Sequence, residues 1–226
     1  MYYTALSIVV VLFLILIIYQ NIQDKKLLET VTKGQRGTRT EREMVLKLLK
    51  SGIPRETIFH DLYLEKPGNH YCQIDLVVAT KVGIIVFEVK QYNGWIFGLA
   101  NQTHWTQLLD YGKQSYSFYN PILQNKKHVE DLKKQLPQFQ NIPFYSVIVF
   151  FGDCSFRNLD YVPNRTFLVK SSNAIEVVNE ILEQNEPAKY KSKREIVNLL
   201  QSATLNGDNE AIRVEAHVKN IKRNFG

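Results

Sequence analysis

Two carboxylates and an ammonium stand where buried strands would want apolar side chains. In Gln73–Trp95, QIDLVVATKVGIIVFEVKQYNGW, Asp75 interrupts one branched apolar run, and Glu88 and Lys90 interrupt the next. Thr80 to Gly83 can turn the chain back between the runs. A hairpin symmetric about Lys81–Val82 sets Asp75 opposite Glu88 and Gln73 opposite Lys90. Strand alternation puts Glu88 and Lys90 on one face. One hairpin would then gather a Gln, an Asp, a Glu and a Lys, with Ile74, Leu76, Val86, Phe87 and Val89 around them. A bulge would shift that register.

Like charges directly opposite on a sheet are unfavourable unless something neutralises them. Two carboxylates about 5 Å apart at their β-carbons can share a hard divalent cation such as Mg²⁺, which takes oxygen ligands and keeps waters. Such an ion acidifies a bound water and stabilises charge building on a phosphate. A lysine two residues on can orient the nucleophile or stabilise the same charge. The competing reading is a hairpin with one wet face and a Glu–Lys pair, since D…E-x-K is short and common. The pattern by itself leaves both open.

Other elements must hold such a hairpin in place. TEREMVLKLLKSGI predicts an amphipathic helix with Met44, Val45, Leu48 and Leu49 inward, Thr40 as a possible cap and Gly52 closing it. Strands are expected at Ile58–Leu64, Gln73–Ala79, Ile84–Lys90 and Trp95–Gly98, with HWTQLL as a further candidate. NPILQNKKHVEDLKKQL reads as a helix with Pro121 in its first turn and Ile122, Val129, Leu132 and Leu136 inward. PFYSVIVFF and Thr166–Val169 read as strands, and NAIEVVNEILEQN as a helix. Lys189 to Gly226 reads as two helices, basic outside, joined at NGDN. This order predicts an α/β domain with a mixed sheet and flanking helices.

The 226-residue chain is 45% hydrophobic and carries a net charge of +6, a globular composition of one domain with something attached. Met1 to Tyr19 holds no charged residue and is long enough to cross the roughly 30 Å hydrocarbon layer. A signal peptide would want a basic start, a shorter apolar core and small residues at a cleavage site, and none is there. Lys25, Lys26, Lys33, Arg36, Arg39 and Arg42 follow the apolar run, so the folded part is expected in the cytoplasm, on a single-pass anchor in the cell membrane. Between Gln20 and Arg55, nine Lys/Arg against four Asp/Glu leave +5. Attraction to anionic lipid or a phosphate-binding surface would each use that charge. Cys72 and Cys154 form no C-x-x-C pair and read as reduced packing residues. No P-loop, G-x-S-x-G or H-E-x-x-H is present, so NTPase, serine-hydrolase and zinc-protease readings lack support.

From roughly Gly34 to Gln184 the chain resembles the NERD (nuclease-related domain) family of the PD-(D/E)XK nuclease superfamily. TEREMVLKLL, QIDLVVATKVGIIVFEVKQYNGWIFG and WTQ…YNPILQNKKHVEDLK carry the resemblance, the middle stretch most specifically. It implies a restriction-endonuclease-like α/β fold, with Asp75 and Glu88 as metal ligands and Lys90 as the catalytic lysine. It further implies Glu41 as the carboxylate completing the metal site, and Gln124 with Asn125 as a polar pair nearby. Thr40 stands where the family usually has Gly, leaving Glu43 as the competing choice to Glu41, and Gln-Ile precedes the Asp as is normal in the family.

The expected organisation is an anchor over residues 1–20, a juxtamembrane linker over 21–37, the nuclease-like domain over 38–186 and a helical extension over 187–226. The leading expectation is a Mg²⁺- or Mn²⁺-dependent nuclease acting on DNA or RNA. The alternatives are the same fold holding nucleic acid or a partner without cutting it, and a structural membrane protein. Trp95 and Trp105 are expected to pack rather than stack on bases. Tyr111, Tyr116, Tyr119 and Phe118 with Lys113 fit a nucleic-acid groove or a sheet-edge cover equally. His128 follows Gln124 by one turn, which suits a cleft-facing residue, although a lone His on an amphipathic helix is more often a boundary residue; His60, His70, His104 and His217 show no ligand spacing.

Overall fold

The charged hairpin lies at the centre of a mixed sheet. The computed structural model describes residues 2–157 and 162–225. Strands β1 (Ile58–Lys66), β2 (His70–Thr80) and β3 (Gly83–Gln91) form an antiparallel meander. β7 (Phe144–Phe151) then pairs parallel with β3, and β9 (Thr166–Lys170) parallel with β7, giving the order β1–β2–β3–β7–β9. A second sheet, β6–β5–β4–β8, comprises β4 (Gly94–Phe97), β5 (His104–Leu109), β6 (Gln114–Tyr119) and β8 (Cys154–Arg157). β4 follows β3 after two residues, so the second sheet grows out of the charged hairpin.

Helices cover both faces of the first sheet. α2 (Arg39–Lys50) and α4 (Ala174–Gln184) bury Met44, Val45, Leu48, Val177, Val178 and Ile181 against Leu76, Val78, Ile85 and Phe87. α3 (Pro121–Lys133) and α5 (Lys193–Asn206) bury Leu132, Ile196 and Leu200 against Ile74, Val77, Ile84 and Val86. The α/β expectation with a mixed sheet therefore holds. β6 and β8 are additions to it: Gln114–Tyr119 is an edge strand, Phe118 is buried, Tyr111 is exposed, and Trp105 is fully enclosed against Phe118. Trp95 is half-open beneath Arg157.

Two boundaries differ from expectation. α2 is capped by Thr38, whose Oγ1 accepts from the Glu41 N–H, while Thr40 lies inside the helix. The expected linker is built into the fold. Helix α1 runs from Tyr2 to Leu28, Leu28 and Val31 pack on the core, Asp24 pairs with Lys50, and Thr32 and Arg36 are buried. Asp24, Thr32 and Arg36 of that stretch have specific partners in the domain, which fixes it against the fold. Within α1, Ile8–Leu28 is long and apolar enough to cross a membrane. The C-terminal extension is likewise integral, with α5 supplying core side chains and α6 (Glu210–Phe225) following after the expected turn.

Candidate active site

The β2–β3 ladder has the expected register, from Thr80 opposite Gly83 to Leu76 opposite Phe87, and stops there. Beyond it the strands part. Asp75 takes over from the backbone: its Oδ2 accepts the Val89 N–H at 2.8 Å. Phe59 and Val77 share a core layer with Leu62 and Ile74, so side-chain alternation slips at Asp61 and Asp75 together. Asp61 absorbs the slip with φ 53. Asp75 and Glu88 therefore flank an opening between strands rather than a regular cross-strand pair, and Gln73 pairs with Tyr63 while its amide reaches Asp61 Oδ1 at 3.0 Å.

Into that opening, a cleft of about 370 Å³, come Asp75, Glu88, Lys90, Glu41 and Gln124. Glu88, from the middle strand, is almost completely buried. Lys90 Nζ stands 2.6 Å from Glu88 Oε1 and donates to Gln124 Oε1 at 3.2 Å. On the far side, His128 Nε2 lies 3.3 Å from Glu88 Oε2, and Cys72 Sγ lies 3.2 Å from His128 Nδ1. A charged chain thus runs Cys72–His128–Glu88–Lys90–Gln124 across three elements. Its residues are set by the strand period on β3 and by the four-residue helix repeat linking Gln124 to His128.

Burial raises the Asp75 carboxyl well above the usual carboxylate range, and the charges of Glu88 and Glu41 push it the same way. Burial also works against ionised Glu88, yet the Lys90 ammonium and His128 outweigh it and hold Glu88 down at about 2. Lys90 is raised, its burial overcome by Glu88 and Asp75. His128 is lifted to about 10, because Cys72 and Glu88 outweigh its burial. Neighbouring carboxylates pushed apart in this way are a recurrent feature of acid–base sites.

Glu41 belongs to a second polar cluster on the α2 side. Its Oε1 accepts from Thr38 Oγ1 at 2.7 Å, and its Oε2 faces His60 Nε2 at 3.6 Å; Thr32 Oγ1 fixes the other ring nitrogen of His60 at 2.7 Å. Gly37, with φ +60, passes so close that a Cβ would strike Glu41 Oε2 and His60. Glu43 does not line the cleft, so of the two competing carboxylates Glu41 is the one at the site. Asn125 turns away from it: its amide donates to Val86 O and Ser146 Oγ, both at 2.8 Å, tying α3 to β3 and β7. Asn125→Ala should therefore cost about 1–3 kcal/mol in urea unfolding and leave the cleft side chains in place; a variant as stable as wild type would contradict this.

The donors suit a hard cation in kind. Glu41 Oε2 is a buried oxygen without a hydrogen-bond partner, a costly state that a cation would relieve, while Glu88 Oε2 meets His128 Nε2 at 3.3 Å as an ion pair. The donors are not pre-assembled as a cage: among the described residues, no three Asp, Glu, His or Cys side chains converge on one point. Lys90 and the Val89 N–H occupy other carboxylate oxygens, so an ion would lean on waters, as Mg²⁺ commonly does.

A sequence profile of the nuclease-related domain, NERD, matches residues 33–151. The chain belongs to the NERD family. That family falls in the PD-(D/E)XK-like, nuclease-related group. The NERD match spans α2 through β7 and so contains Asp75, Glu88, Lys90, Glu41 and Gln124; it stops short of the Gln184 limit expected from the sequence and leaves α4 to α6 outside. An uncharacterized protein of Bacillus anthracis is 30% identical over 128 residues, covering 57% of each chain. The chain thus spans little more than half of that relative's length. No solved structure matches.

Sequence reasoning left His128 between the cleft and a boundary position, and missed His60 beside Glu41 and Cys72 beside His128. His128 had a usable signal, since it sits one helical turn from Gln124. His60 and Cys72 had none, because their partners come from other elements. The His128–Glu88 pair has a pH signature. His128 has a folded pKa near 10 against an ordinary 6.5, so its contribution is complete below about 6.5 and fades as pH rises through 10. Glu88, depressed to about 2 from 4.5, contributes above 4.5 and loses that only as pH falls through 2. The urea midpoint of the wild type should therefore fall between pH 6.5 and 10, and His128→Gln should flatten that fall. An equal slope in both proteins would refute the pairing.

Proposed function

We propose that the chain is a membrane-anchored, Mg²⁺- or Mn²⁺-dependent nuclease that hydrolyses phosphodiester bonds of DNA or RNA on the cytoplasmic side. The observation carrying this reading is the buried, unpartnered Glu41 Oε2 in the cleft that also holds Asp75, Glu88 and Lys90. Asp75, Glu88 and Glu41 would hold the ion, which when bound supplies an acidified water and charge stabilisation at the phosphate. Glu88 remains ionised throughout the neutral range. Lys90, held by Glu88 and Gln124, presents its ammonium at the cleft, where it can orient a water or meet developing negative charge. The apolar α1 segment and the basic residues that follow it support a single-pass anchor with the domain inside.

Full-length protein in detergent micelles, given single- and double-stranded DNA and RNA with Mg²⁺ or Mn²⁺, should cut at least one substrate, and EDTA should stop it. Failure to cut any of them with either metal would sink the reading.

A second reading, binding without cleavage, is favoured by one observation: among the described residues, the carboxylates are not pre-assembled into a three-ligand cage. It predicts nucleic-acid affinity that falls steeply with salt and is indifferent to EDTA and to Asp75→Asn.

A further inference from the structure

The cleft is not closed by the family-matched region alone. One wall comes from α6, outside residues 33–151, which places Arg213 and His217, one helical turn apart, among the residues lining the same cleft as Asp75, Glu88 and Lys90. We propose that Arg213 binds a non-reacting phosphate of the nucleic-acid strand, with His217 beside it, so that the C-terminal helix pair completes the substrate cleft; this rests on the nuclease reading above.

The first support is electrostatic. The cleft holds Glu41, Asp61, Asp75 and Glu88, a set that repels a phosphodiester strand unless cations offset it. Lys90 is committed to Glu88 and Gln124. Arg36, next to the cleft, is neutralised by Asp61 and Asp208. Arg213 is different. Its Nη1 donates to the Gly207 carbonyl at 3.2 Å, and among the described residues no carboxylate pairs with it. A guanidinium kept in a cleft with its charge unspent, presenting a fork of donors, suits a phosphate.

The second support is that α6 is held in place. Arg36 Nη2 donates to Thr204 O at 2.9 Å and Arg36 Nη1 meets Asp208 Oδ1 at 3.0 Å, gripping the turn between α5 and α6 from both sides. Gly207 lies so close to Arg36 and Tyr63 that a Cβ would collide with both. Asn206 Nδ2 donates to Tyr63 O at 2.9 Å, His70 pairs with Glu215 at 2.9 Å, and Ala216 is buried. The bond from Arg213 to Gly207 ties the side chain to this same turn. The cation is thus preorganised, which reduces the entropy lost on binding.

The test is the affinity of full-length wild type, Arg213→Gln, Arg213→Lys and a distant control, Arg194→Gln, for fluorescein-labelled DNA and RNA oligonucleotides across a salt series in EDTA. Arg213→Gln should weaken binding about tenfold and lower the salt slope by about 1. Arg213→Lys should keep the slope, and Arg194→Gln should match wild type. Equal melting temperatures by circular dichroism keep the comparison clean. If wild type binds and Arg213→Gln binds as well or better, α6 is no substrate wall, and tighter binding marks it as a cover; the nuclease reading survives. A wild type that binds none of the oligonucleotides overturns this proposal, while the nuclease reading stands or falls on its own cleavage assay with metal.

Discussion

Asp75→Asn should reduce metal-dependent cleavage by about 10²–10⁴-fold, the range expected when a group acting on the reacting atoms is lost, while changing stability by less than about 1 kcal/mol. The asymmetry follows from the environment of Asp75. Burial and the charges of Glu88 and Glu41 favour its neutral form, which an asparagine mimics in shape and charge. The amide oxygen can still accept the Val89 N–H that Asp75 Oδ2 accepts now. What asparagine cannot do is become an anion when a cation enters. Glu88→Gln is a blunter tool, because it strips the anion from between Lys90 and His128 and leaves two buried cations facing each other. Cleavage rates and urea midpoints measured side by side decide the matter. Undiminished cleavage by Asp75→Asn would remove Asp75 from the reaction, and a collapse in stability would mean the carboxylate is already ionised and structural.

Arg36→Leu should cost about 3–5 kcal/mol, the range for removing one partner of a buried ion pair. That is a large part of the 5–15 kcal/mol typical of a domain. Arg36 Nε meets Asp61 Oδ2 at 2.8 Å and Arg36 Nη2 donates to Asp61 O at 2.6 Å, both groups being buried. Without the guanidinium, the buried Asp61 carboxylate is left to neutral partners such as the Gln73 amide, at the residue whose left-handed backbone opens the sheet beside Asp75. The α5–α6 turn loses its two contacts with Arg36 as well. A double variant, Arg36→Leu with Asp61→Leu, should recover part of the loss, since a buried pair replaced on both sides by apolar groups is often tolerated. A midpoint shift in Arg36→Leu worth under about 1 kcal/mol would show that the pair is better solvated than its geometry implies.

Much of this protein is legible from its sequence by itself. Periods of 2.0 and 3.6 residues gave the strands and helices of the domain, because alternation and the amphipathic stripe are local properties of the chain. The hairpin register followed from the position of a two-residue turn and is correct as far as Leu76 and Phe87. D…E-x-K marked Asp75, Glu88 and Lys90, and all three line one cleft.

Only the tertiary structure decided the rest. The parting of β2 from β3 at Asp75 depends on Asp61 in a neighbouring strand adopting a positive φ, and no pattern within QIDLVV signals it. The choice of Glu41 over Glu43 depends on which face of α2 meets the cleft. The partners of Glu88 arrive from α3, and those of Glu41 from β1 and from the stretch after α1. Arg213 reaches the cleft from the far end of the chain, 138 positions after Asp75. Contacts between residues that distant are set by packing, which no local period encodes. The sequence named the charged groups of the cleft, while the fold set what each one touches and therefore its charge.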